Sequence, residues 1–147
     1  MTLYFAFGMN MEPEHMARLC PGIRAAGVAR LPDHRFAINR RGFATVIPQT
    51  GETVHGVLWL AADRHVRALD AFEGVEEKLY TRRFLQVTGE GDSARQALVY
   101  VACDAHPGKP AKGYLDIIVK GARHFNLPAD YTAVLERHPS LPIPSPK

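Results

Sequence analysis

From residue 2 to residue 7, apolar side chains alternate with smaller or amphipathic ones, with Leu3, Phe5 and Phe7 recurring at the period of a half-buried strand. Gly8 breaks that strand, and Asn10 is placed to cap a helix from Met11 to about Leu19, with Glu12 and Glu14 in its first turn and Pro21–Gly22 as its stop. β-rich segments follow over 25–31 and 35–39, then a glycine-containing loop over 40–43 and a short strand over 44–47. The turn signal Gln49-Thr50-Gly51-Glu52 leads into a strand over 53–60. Asp63 is the expected cap of a short helix ending near Phe72, because Val66, Ala68, Leu69 and Phe72 fall at helical spacing and Gly74 suits the position just past its end. Two more strands, over 80–88 and 94–103, are joined by a hairpin connection over 89–93. The period then changes. Tyr114, Ile117, Ile118, Gly121 and Phe125 share one helical face, and Asp130 is placed to cap a last short helix holding Tyr131, Val134 and Leu135.

This order predicts an α+β fold, a mostly antiparallel β core with helices at fixed places. Composition agrees, with 46% hydrophobic and 22% charged residues in 147, enough for one core without staples. A single domain is expected over 1–138, with an extended tail over 139–147 that holds four of the eleven prolines. Cys20 and Cys103 are too few for a disulfide framework and have no CxxC spacing, and no export signal is read at the start, so a reduced cytoplasmic protein is expected. The apolar windows are too short for a membrane span. A net charge of +3 permits nucleic acid as a partner, but the basic residues are scattered and double up only at Arg40–Arg41 and Arg82–Arg83, so none is expected.

Signals for metal or nucleophilic chemistry are weak. The seven histidines form no HxH or HExxH pair, GxSxG is absent, and neither cysteine sits beside an obvious base. The densest charge feature is the segment from Asp70 to Glu77, which carries four of the fifteen carboxylates. It reads either as a solvated acidic turn or as the home of a general base. Glu73 falls at the expected C-terminal end of a helix with like charges nearby, and both effects raise the pKa of a carboxyl. A second feature is the run from Tyr4 to Asn10, where a strand, a glycine and a helix start bring free backbone N–H groups to one mouth. Those amides suit a carboxylate or an oxyanion, and a plain strand-to-helix turn accounts for them equally well.

Together the two segments carry a resemblance. Tyr4-Phe5-Ala6-Phe7-Gly8-Met9-Asn10-Met11 resembles the YFAYGSNM signature of the γ-glutamylcyclotransferase-like family, and Leu69-Asp70-Ala71-Phe72-Glu73-Gly74-Val75 with Tyr80 resembles its LDxxEGVxxxxY segment. The likeness extends over most of the chain, through Thr53 to Trp59, Leu98 to Val101 and Tyr114 to Tyr131. It implies a small β-barrel core flanked by helices and a soluble γ-glutamyl compound as substrate, with no metal or organic cofactor. The implied reaction is release of 5-oxoproline by attack of the substrate's own α-amino group on its γ-carbonyl, with Glu73 as acid and base. The residues implied to bind substrate are Tyr4, Phe5, Ala6, Phe7, Gly8, Met9 and Asn10, with Tyr80 and Tyr100 either orienting groups or simply packing. Arg41, in the glycine loop with Arg40, is a further candidate for a substrate carboxylate, against a merely solvated loop. Two positions depart from the family pattern: Phe7 and Met9 replace its tyrosine and serine, which shifts the expected leaving group toward a larger or more apolar amine. A γ-glutamylamine cyclotransferase, a biosynthetic γ-glutamyl-removing enzyme and a non-catalytic binding module on the same fold are the alternatives.

Overall fold

The computed structural model describes residues 1–110 and 113–137. Five strands close a barrel in the order β1 (Thr2–Ala6), β3 (Ala44–Ala61), β2 (Arg24–Ile38), β4 (Tyr80–Gly89), β5 (Ala94–Ala102). Neighbours pair antiparallel, except where Tyr4 of β1 meets Leu98 of β5 in parallel and closes the ring. Closure leaves the sheet no free edge along that seam. Four helices flank it: α1 (Pro13–Leu19), α2 (Asp63–Glu73), α3 (Tyr114–His124) and α4 (Ala129–Arg137). The architecture is therefore the expected α+β barrel. Its core is continuous, with Phe5, Met16, Val57, Leu69, Leu98 and Ile118 all withdrawn from solvent.

The structure corrects several local expectations. The segments 25–31 and 35–39 are one strand, because the chain bulges at Asp33 between paired Pro32 and His34 rather than breaking. Pro32 pairs with Thr53 and His34 with Pro48, so residues 49–52 bulge opposite Asp33 instead of turning the chain. Asp33 Oδ1 accepts the Gly51 N–H at 3.0 Å and ties the two bulges together. Asn10 does not cap α1. Glu12 does, its carboxylate accepting from the N–H groups of Glu14 at 2.9 Å and His15 at 3.0 Å, while Asn10 lies in a 3-10 turn over Met9–Met11. Asp63 is the first residue of α2 and not its cap. Ala62 precedes the helix, and its N–H is taken by His65 Nδ1 at 3.0 Å. Likewise α4 begins at Ala129, one residue before Asp130. The proline-rich tail foreseen over 139–147 lies outside the described residues.

Among the described residues no helix is long and apolar enough to cross a membrane, and no three His, Cys, Asp or Glu side chains gather as metal ligands. Cys20 and Cys103 are both free.

Candidate active site

Four connections converge on one cavity of about 330 Å³. The first follows β1, where Gly8 and the turn Met9–Met11 lead toward α1. Gly8 is needed for space: a Cβ there would meet the Ala44 methyl at 3.3 Å and the Tyr114 hydroxyl at 3.4 Å. The turn is seated on α3, since a Cβ at Gly121 would approach the backbone of Met11 and Glu12 to 2.8 Å. The second connection joins β2 to β3. Buried Asn39 holds it, its side-chain oxygen accepting from the N–H groups of Arg41 at 3.0 Å and Phe43 at 3.2 Å, which fixes a tight Asx-type turn. The Arg41 guanidinium lies over the Phe43 ring, 5.3 Å from its centre. The third is the end of α2, where Gly74 adopts φ 69° and ψ 43°, the left-handed conformation that stops a helix and leaves Glu73 as its last residue. The fourth brings Tyr114 at the start of α3.

Of the residues singled out in the sequence, Tyr4, Phe7, Gly8, Met9, Asn10, Arg41, Glu73, Tyr80 and Tyr100 line this cavity. Phe5 and Ala6 do not; they are packed into the core at 0% and 1% exposed. Arg40 points away from the cavity, to Asp104 and His106 on the outer surface. Sequence reasoning missed Phe43, Ala44, Phe72, Leu79 and Tyr114 as lining residues. Phe72 and Tyr114 stood out only on apolar helical faces and inside the segments that carry the resemblance, and neither signal says what a side chain lines; Phe72 is in fact 44% exposed.

Four tyrosines wall the cavity, and their hydroxyls are used differently. Tyr80 donates to the Ala44 carbonyl at 2.6 Å and Tyr100 to Asp70 Oδ1 at 2.7 Å, so both protons are committed. Tyr114 accepts from the Ala44 N–H at 3.0 Å, and Tyr4 accepts from Asn10 Nδ2 at 2.9 Å, so these two keep a proton to give. Asn10 is fixed in that orientation by His15, whose Nε2 lies 2.7 Å from Asn10 Oδ1 and whose ring packs on Phe72. Burial, and the nearby Glu73 carboxylate after it, raises the pKa of Tyr4 and Tyr80, and burial raises those of Tyr100 and Tyr114; all four are neutral phenols.

Glu73 is the acid of this cavity. No described side chain hydrogen-bonds or ion-pairs with its carboxyl, whose pKa is pushed up to about 7 by burial. The cause differs from the one expected. Helix dipole and neighbouring carboxylates were the sequence argument, whereas Glu76 and Glu77 are exposed and Asp70 is engaged with Tyr100 and with Arg82 at 3.2 Å. A carboxyl near neutrality, without a partner, inside a partly apolar cavity can both take and return a proton at physiological pH. Arg41, the one cation that lines the cavity among the described residues, meets no carboxylate among them.

Comparison with known proteins follows the same outline. The profile of the AIG2-like family matches residues 53–135. The human protein named gamma-glutamylcyclotransferase is 27% identical over 144 residues, covering 91% of this chain and 77% of that one. AIG2-like protein D of Arabidopsis thaliana is 36% identical over 101 residues, covering 66% of this chain and 64% of its own length. A solved structure titled gamma-glutamyl cyclotransferase superposes with a TM-score of 0.87 at 27% identity, over 92% of this chain and 86% of that one.

Proposed function

The chain belongs to the AIG2-like family, and on that premise we propose that it is a γ-glutamylcyclotransferase with Glu73 as its acid and base. The substrate is a γ-glutamyl amino acid, peptide or amine. Ionised Glu73 takes a proton from the substrate's α-amino group, and the freed nitrogen attacks the γ-carbonyl carbon. The new C–N bond closes a five-membered lactam and puts negative charge on the carbonyl oxygen. Backbone amides from Phe7 to Asn10 receive that oxygen, an interaction prepared before the reaction begins and worth about 3 kcal/mol per donor in comparable sites. The intermediate collapses by breaking the original C–N bond, Glu73 returns its proton to the departing nitrogen, and 5-oxoproline and a free amine leave. Atoms and protons balance without a co-reactant. Tyr4 and Tyr114, which keep protons to donate, orient the glutamyl group, while Tyr80 and Tyr100 hold the walls.

The observation that carries this reading is the unpartnered Glu73 carboxyl in a walled cavity, raised to about 7. A structural carboxylate is ordinarily supplied with donors; one kept without them is suited to moving a proton. The departures at Phe7 and Met9 remove side-chain hydroxyls and leave the amides, so the chemistry does not depend on them. The test is 5-oxoproline release from a panel of γ-glutamyl amino acids, γ-glutamyl amines, γ-glutamyl-lysine and glutathione, with Glu73→Gln beside the wild type. Release from any member that Glu73→Gln abolishes supports the reading. No release from the whole panel, or equal release by the variant, overturns it.

A further inference from the structure

Among the described residues, the charges of the cavity lining are one carboxyl, Glu73, and one guanidinium, Arg41. On the cyclotransferase reading, on which this inference rests, the γ-glutamyl head brings one α-amino group and one α-carboxylate. The amino group goes to Glu73 and the carboxylate to Arg41, and the match is then complete. A leaving amino acid would bring a second carboxylate, and among the described residues no second cation lines the cavity. Arg40 is bound to Asp104 at 2.6 Å and Arg82 to Asp70 at 3.2 Å. Beside the four tyrosines, Gly8, Asn10 and Ala44, the wall is apolar: Phe7, Met9, Phe43, Phe72 and Leu79. An unpaired carboxylate against such a wall is penalised, whereas an alkyl or aryl group gains from burial, and a methionine adapts its shape to either.

We infer that the group released is an apolar primary amine without a carboxylate, and that Arg41 reads the α-carboxylate of the glutamyl head.

The deciding experiment uses two substrates that differ by that one group, γ-glutamyl-isoamylamine and γ-glutamyl-leucine, with the full chain and with Arg41→Met, which keeps an apolar stem over Phe43. The wild type is expected to favour the amine by at least ~10-fold in kcat/KM. Arg41→Met is expected to lower kcat/KM for both substrates by the same factor, mainly through KM. Equal or better turnover of the leucine compound overturns the inference and leaves the cyclotransferase reading standing. So does an Arg41→Met loss confined to the leucine compound, which would put Arg41 on the leaving group. If neither compound releases 5-oxoproline while another member of the panel does, the inference fails alone; if none does, both fail.

Discussion

Glu73 and Asp104 are two carboxyl groups that the same fold treats in opposite ways. Asp104 sits at the surface just past β5. It accepts from the His106 N–H at 3.0 Å and from Arg40 Nε at 2.6 Å, and the His106 ring nitrogen Nδ1 lies 2.6 Å away. The backbone and ring of His106, then Arg40, hold its carboxyl well below the usual carboxylate range. Glu73 has walls instead of donors, and burial lifts it to about 7. Residue type therefore decides little. A carboxylate supplied with donors ties two loops together, here the one after β2 to the one after β5, and spends its life ionised. A carboxyl denied donors sits near the midpoint of its titration and exchanges its proton readily.

The largest effect that would break this contrast is on turnover. Replacing Glu73 with Gln keeps the shape and removes the proton exchange, so kcat/KM for 5-oxoproline release should fall about 10²–10⁴-fold, the usual scale for a general acid–base, with an unchanged circular dichroism spectrum. In the wild type kcat/KM should rise with pH through an apparent pKa near 7, because the free enzyme must be ionised at Glu73 to begin. The same shift has a stability sign. Glu73 binds its proton more tightly in the native state than in the unfolded chain, whose usual value is 4.5. Native stability therefore falls as pH rises from about 4.5 to about 7, by linkage. Allowing for the cavity's opening to solvent, denaturant titrations should show Glu73→Gln more stable than the wild type by about 2 kcal/mol at pH 8 and equal to it below pH 4.5. A gap that persists at low pH would locate the effect in packing and not in ionisation.

How much of this was legible beforehand varies with the range of the interaction. Period-two and helical patterns expose which residues are apolar at which spacing, and the four α-helices and β1, β4 and β5 were foreseen within a few positions, whereas β2 and β3 were each read as two shorter strands. The failures were of caps and bulges. Asn10 is a good N-cap by type, yet its amide is already taken by Tyr4 and His15, and Glu12 does the capping. The interval between 31 and 35 was read as a gap between two strands, but Pro32 pairs with Thr53, β3 bulges at 49–52 and the pairing resumes at His34. In the cavity, Glu73 with Gly74 stood out because a carboxylate cluster at a glycine-stopped helix is locally unusual. The reason for its shift could not be read, since burial is supplied by Tyr4, Tyr80, Tyr100 and Tyr114 from four other elements. Tyr114 holds Ala44 across 70 positions, a contact with no local trace in the chain.

A smaller effect sharpens the comparison among the tyrosines. Tyr80→Phe deletes the donor to the buried Ala44 carbonyl and leaves that oxygen unsatisfied, so thermal unfolding should show a loss of about 1 kcal/mol. Tyr100→Phe deletes a donor to Asp70, but that carboxylate keeps Arg82 and access to water, so it should lose less. Equal losses would mean that the Ala44 peptide is not the fixed point of the cavity wall.

The smallest effect belongs to the outer carboxylate. Asp104→Asn keeps an acceptor for the His106 N–H and for Arg40 and removes only the charge. Arg40 and the His106 ring are 59% and 73% exposed, so water replaces what the carboxylate supplied, and exposed pairs of this kind contribute little. Arg40 points away from the cavity, and Arg41 is held separately, by the Asn39 side chain and the Phe43 ring. Asp104→Asn should therefore leave kcat, KM and the acid limb of the pH profile where they are in the wild type. The informative failure is a moved acid limb with the fold intact. It would show that the charge at Asp104 is felt at Glu73 through the 40–43 loop, and that the two carboxylates are one electrostatic system and not two.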